Sequence, residues 1–286
     1  MTGRTIKALH PAYRDDIADL VTRRPLPGPG VDQIDPFLFL NHHGPQTYPP
    51  NNRGLPFGPH PHRGFETVTF ILEGELSHLD SGGHESVIAA GGVQWMTAGS
   101  GLVHAELSPD AFKRAGGPLE LLQLWVNLPA ALKFAPPRYV GLQRGEIPVA
   151  TLDDGRVEVD VIAGEIGGVR GPYEPLVDIV MATVRLSAGG RVTLPAAADR
   201  NVFLYVVRGE VSVGGAATKP HHLVALNPDG DTVDLAATSD AFVVFGHAAP
   251  FNEPVVSHGP FVMNTRQQII EAINDYNAGK FGSVPG

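Results

Sequence analysis

Between residues 34 and 128 short apolar runs alternate with turns of glycine, proline and acidic residues. "IDPFLFLNHHGP" is one apolar run closed by a turn. "FETVTFILEGELSHLD" places two β-branched runs on either side of Glu73-Gly74, and "LELLQLWVNLP" is a continuous apolar run stopped by Pro129. Turns recur about every 8–12 residues, as in an antiparallel sandwich or barrel. In "KFAPPRYVGLQRGEIP", residues 133–148, prolines, glycines and charges cluster, which marks a boundary. The strand pattern then returns. "RNVFLYVVRGEVSVGG" repeats the layout of "RGFETVTFILEGELSH": a basic residue, an apolar strand, a Gly-Glu pair (Gly74-Glu75, Gly209-Glu210) and a continuing strand. "DAFVVFGHAAP" matches "LELLQLWVNLP" in the same way. The pattern predicts an all-β internal duplication of one barrel unit, residues 1–140 and 141–286. Only the C-terminus is helical in period. Ile269, Ile270, Ile273 and Tyr276 fall on one face, Asn264 or Thr265 can cap the start, and Asn277-Ala278-Gly279 ends it.

Composition supports this and removes several function classes. The 286 residues are 43% hydrophobic, enough for one large or two medium cores. Gly 34 and Pro 26 suit many short strands joined by turns. A net charge of −9 argues against direct nucleic-acid binding and against docking on anionic lipid. With no cysteine, disulfides, thiolate ligands and Cys nucleophiles are excluded. The N-terminus has no apolar leader and no run approaches a membrane span, so a soluble, cytoplasmic protein is expected. No Ser-His-Asp order, phosphate loop or N-glycosylation site stands out.

Candidate chemistry begins at "GPHPHRGFETVTF". Residues two apart on a strand share a face, so His60 and His62 can present two imidazoles to one point. Glu66 is in phase with both if the pleat is unbroken. "WMTAGSGLVHAEL" adds His104 and Glu106, again two apart. Two such pairs on separate strands can close a site of three histidines and one carboxylate, a donor set suited to Fe, Mn, Ni, Cu or Zn. Other histidines carry less: His42 and His43 read as turn or pocket-mouth residues, and His78 with Asp80 as a polar pair. His84, His221 and His222 read as loop residues. Trp95, Met96 and Phe65 are candidates for core or for an apolar pocket wall. Aligning Gly209 on Gly74 puts Pro195, Ala197 and Asn201 at the places of His60, His62 and Glu66, so the second half lacks the donors.

"PHPHRGFETVTFILEGELSHLDSGGHESVIAAGGVQWMTAGSGLVHAE" resembles the signature of the pirin family within the cupin superfamily. "NEPVVSHGPFVMNTRQQIIEAINDYNAGKFG" is similar to the pirin C-terminal signature. The resemblance implies a bicupin of two stacked antiparallel barrels. It implies one divalent metal in the N-terminal barrel, iron(II) first, with Mn, Ni, Cu, Co or Zn as alternatives. By motif position the ligands would be His60, His62, His104 and Glu106. Glu66 would stand behind the ligands, orienting His60 or His62, or be a plain strand carboxylate. The implied activity is that of a flavonol-cleaving quercetin 2,3-dioxygenase acting with O₂ on a small aromatic substrate. Glu106 is the first candidate for catalytic base and Glu66 the second. The other implied role is a non-enzymatic, metal-dependent regulatory partner of a transcription factor or a metabolic enzyme complex.

Overall fold

The computed structural model describes residues 2–284. Strands dominate it, as the alternation predicts, but the sheets are open, so the expected closed barrels are sandwiches. Each sandwich combines a seven-stranded and a four-stranded antiparallel sheet. One large sheet runs in the order Arg138–Leu142, Val93–Thr97, Phe65–Glu73, Gly117–Asn127, Phe37–Tyr48, Thr22–Leu26, Tyr13–Arg14. The other runs Ile6–Pro11, His222–Leu226, Asn201–Arg208, Ala241–Ala248, Ile179–Leu186, Val157–Ala163, Val149–Leu152. The small sheets are Phe57–His62, Leu102–Leu107, Glu75–Asp80, Glu85–Ala89 and, in the same order, Arg191–Pro195, Thr232–Ala237, Val211–Val213, Ala216–Thr218. Strand for strand, the two halves have one topology. The repeat inferred from Gly74-Glu75 and Gly209-Glu210 is therefore structural. Both glycines take positive φ, +82° and +76°, and a Cβ at either would strike a carbonyl oxygen.

The chain divides into two interleaved compact units. The C-terminal unit comprises the residues up to Tyr13, Arg24–Phe37 and Gly145–Pro250. The N-terminal unit comprises Arg14–Arg23, Leu38–Arg144 and the segment from Phe251 onward. The compact units change over at 144/145 and exchange both chain ends. The cause of that exchange is visible within each unit. Ile6–Pro11 supplies the edge strand beside His222–Leu226, the slot that Arg138–Leu142 fills in the other large sheet. The C-terminal segment buries Phe261, Met263, Ile269 and Phe281 against Val103.

Among the described residues two α-helices punctuate the strands. α1 (Asp110–Ala115) is too short for a periodic signal. It has Asp110 in its first turn, Lys113 and Arg114 in its last, and Gly116 at φ +70° behind it, each suited to a helix end. α2 (Arg266–Asn277) is the expected helix. Thr265, rather than Asn264, caps it through a reciprocal capping box with Gln268. Its buried residues are Ile269 and Ala272, while Ile270 and Tyr276 turn outward, so the expected apolar face is rotated. No described helix is long and apolar enough to cross a membrane.

Candidate metal centre

The site forms where the small sheet of the N-terminal unit faces the large one. Strand Phe57–His62 pairs with Leu102–Leu107 so that His60 lies opposite His104, and His62 opposite Leu102. One ring nitrogen from each of His60, His62 and His104 lies within 4.8 Å of the others. His60 and His104 bring their Nε2 atoms to 3.0 Å. His62 and His104 are buried and His60 is half-buried.

Backbone carbonyls set the tautomers. His60 Nδ1 donates to the Gly58 carbonyl at 2.7 Å and His62 Nδ1 to the Pro260 carbonyl at 3.2 Å. A carbonyl can only accept, so Nδ1 carries a proton in both rings and Nε2 is the nitrogen turned toward the site. Burial, with His60 beside it, pulls the His62 imidazole down to about 3. Burial and then the neighbouring His62, His60 and His78 hold His104 well below the ordinary range. Both rings are therefore neutral at pH 7, the form that ligates. His104 Nδ1 is buried with no partner among the described residues. With Nδ1 unpartnered, His104 can donate from Nε2 to His60 Nε2 across the 3.0 Å contact, and a cation at the same point would replace that shared proton. The donor set fits a divalent metal.

Glu106 does not join the three histidines within this geometry. A register shift between His104 and Glu106 places it opposite Phe57 on one side and His78 on the other. Its carboxylate accepts from Gln94 Nε2 and Gln123 Nε2, each at 2.5 Å, and from Thr69 Oγ1 at 3.1 Å. These three donors form one row: Gln94 and Gln123 are both direct register partners of Thr69. The sequence reading missed all three. The available signal was a glutamine inside each of two apolar runs, "VQWM" and "LLQLWV", since an amide there must find a buried partner.

Glu66 is placed differently from expectation. The strand ends at His62, Gly64 takes φ +89°, and a new strand starts at Phe65 in the other sheet, so the pleat is broken. Phe65 packs edge-on against His62, and Thr69 reaches Glu106. Residues 65, 67 and 69 thus face the site, and alternation turns Glu66 to the opposite face of the sheet. There it is buried and accepts from Thr97 Oγ1 at 2.6 Å. The orienting role expected of Glu66 belongs to the Gly58 and Pro260 carbonyls.

The remaining candidates sort themselves by burial. Trp95 and Met96 are core. Trp125, unremarked in the sequence, stands edge-on to His62 at 5.5 Å between ring centres. His42 and His43 are buried strand residues rather than turn residues, bonded to Glu120 and Thr22. His78 bonds Asp80 at 3.1 Å and stacks on Tyr139, while the half-exposed His84 joins the same Asp80.

The chain is similar to known proteins along most of its length. The pirin family model matches residues 19–126, and the pirin C-terminal cupin domain matches residues 181–282. A pirin-like protein of Caulobacter vibrioides is 41% identical over 268 residues, 93% of this chain and 94% of that one. A Pseudomonas aeruginosa protein, provisionally named as a quercetin 2,3-dioxygenase, is 40% identical over 248 residues, 87% of each chain. The crystal structure of a quercetin 2,3-dioxygenase from Acinetobacter baumannii superposes with a TM-score of 0.92 at 34% identity, covering 99% of both chains.

Proposed function

Because the chain belongs to the pirin family of bicupins, we propose that its N-terminal unit is a metal-dependent dioxygenase centre that opens flavonols with O₂. One observation carries the reading: one ring nitrogen from each of His60, His62 and His104 converges within 4.8 Å, and the strand that carries His104 also carries a buried carboxylate, Glu106. These four residues are the proposed metal holders, with iron(II) the first candidate. Held there, the cation would supply Lewis-acid stabilisation of an enolate or phenolate oxygen.

The chain's own residues account for the rest. Phe65 and Trp125 form an apolar wall against His62, suited to a planar aromatic ligand. Glu106 takes the proton of the flavonol 3-hydroxyl. Two amides and a hydroxyl donate to its carboxylate and hold it in place. Glu106 would also be the fourth donor to the cation, with Gln94 and Gln123 holding its carboxylate. This assigns a use to Gln94 and Gln123 and leaves Glu66 outside the reaction.

The test is flavonol turnover under air and under argon with the metal content measured. Quercetin and O₂ should disappear in equal amounts, with carbon monoxide released as the ring opens. Glu106→Gln should lower turnover by roughly 10²–10⁴ per bound metal. A fully metallated protein that binds flavonol yet takes up no O₂ would overturn the enzyme reading in favour of a regulatory partner.

A further inference from the structure

The C-terminal signature sequence has so far only a packing role, yet it reaches the metal centre through its backbone. The two histidines of the His-x-His pair are held in different ways. His60 is fixed by Gly58, two residues away in its own strand, whereas His62 is fixed by Pro260, 198 residues away. Around that contact the C-terminal segment is tied to the turn that follows His62. Val262 N–H donates to the Arg63 carbonyl at 3.1 Å. The buried ammonium of Lys133 donates to the Gly64 and Val262 carbonyls at 2.8 and 3.0 Å, and to Asn127 Oδ1 at 2.7 Å. Gly64 has no room for a side chain, since a Cβ would lie 2.0 Å from the Val262 oxygen. The Arg63 guanidinium donates to the Ser100 carbonyl at 2.7 Å and to Asp275 of α2 at 2.9 Å, and lies 4.6 Å over the ring of Phe281.

We propose that the C-terminal segment is a working part of the metal centre: its Pro260 carbonyl positions His62, and the Arg63–Asp275–Phe281 contact is the latch that keeps it there. The proposal rests on the metal-site reading above. An imidazole whose Nδ1 loses its acceptor can exchange tautomers and rotate about its outer torsion, and then presents Nε2 to the point shared with the other two histidines only part of the time. Loss of such an outer partner typically weakens metal binding about 10–100-fold. Asp275 and Phe281 are thus positioning residues that act through Arg63 and the backbone.

Full-length Asp275→Ala, and Asp275→Ala combined with Phe281→Ala, test the latch. Imidazole nitrogen NMR on the metal-free protein reads the tautomer of each histidine, and chelator competition reads the cobalt(II) affinity. In the wild type both His60 and His62 should show the Nδ1–H form. Releasing the latch should move His62 toward a tautomer mixture, leave His60 unchanged, and weaken cobalt(II) about 10–100-fold. Hydrogen exchange on α2 reports whether the latch has opened; if the single variant keeps α2 protected, the double variant decides. Two results overturn the proposal: α2 released with His62 and the cobalt affinity unmoved, or His60 and His62 loosening together as in general destabilisation. A wild type that binds no cobalt(II) would sink the metal reading itself, and the tautomer measurement separates that failure from a failure of the latch.

Discussion

The two units share a strand order and a register but fill their interiors in opposite ways. His104 pairs with His60 in one small sheet, and Val233 with Leu194 in the other. Glu106 pairs with His78, and Leu235 with Val213. His62 has its counterpart in Ala196, whose N–H bonds the Asp231 carbonyl. In the large sheets the row Gln94, Thr69, Gln123 becomes Val224, Leu204, Phe245. Every C-terminal counterpart belongs to one continuous apolar core. In the N-terminal unit the apolar packing is split among separate clusters around the polar site. One scaffold thus carries two interiors, a donor set that a cation can satisfy and a core that needs nothing. The pairings also correct the sequence alignment by one residue on this strand. Leu194 and Ala196 stand where His60 and His62 do, because the chain between Pro195 and Asn201 is longer than that between His62 and Phe65.

The largest expected effect is on metal binding. His62→Ala and His104→Ala each leave two imidazoles, so affinity should fall well beyond the 10–100-fold of an outer-partner change. Elemental analysis of the wild type should approach one equivalent per chain, since the C-terminal interior offers no nitrogen or oxygen at the matching positions. A second equivalent that survives His62→Ala would break the contrast.

Stability should show the opposite asymmetry. Leu194→Ala deletes a fully buried side chain from the C-terminal core and should cost about 2–5 kcal/mol. His60→Ala at the matching position, measured without metal, removes a half-buried polar ring and should cost less than about 1 kcal/mol. Urea midpoints on both variants give the comparison. Equal losses would mean that the polar interior bears as much of the packing as the apolar one.

Strand content, the internal repeat and the His-x-His pairing were legible because each depends on local alternation. Two kinds of feature were not. Glu66 shares a sequence phase with His60 and His62, but phase carries no meaning across Gly64, whose positive φ starts a new strand in another sheet. The Gln94, Thr69 and Gln123 row is assembled by register between three strands, and no single run reveals it. The exchanged chain ends were hidden for a related reason. An edge strand such as Ile6–Pro11 shows which unit it completes only through its pairing with His222–Leu226. Likewise the Pro260 carbonyl that holds His62 is a backbone atom, which side-chain reasoning cannot see.

The most gradual effect concerns acid. His247 occupies, in the C-terminal unit, the register position that Trp125 has in the other, opposite Val202 where Trp125 lies opposite Thr67. It is buried, accepts from Arg200 Nε at 2.6 Å, and is pulled down to about 4, first by burial and then by the Arg200 charge. The unfolded chain takes up this proton near the ordinary histidine value of 6.5, while the folded one resists it until about 4. Between those values the unfolded state binds more protons, so this residue lowers stability as pH falls through the window and has no effect above it. At about 1.4 kcal/mol per pH unit, the whole effect is at most about 3.5 kcal/mol. His247→Gln keeps an acceptor for Arg200 and removes the titration. Urea unfolding of the two proteins should therefore give a stability difference that is flat above pH 7 and shifts steadily in the variant's favour down to pH 4. Parallel curves through that range would place all the acid sensitivity elsewhere, with the buried histidines of the metal centre as its first source.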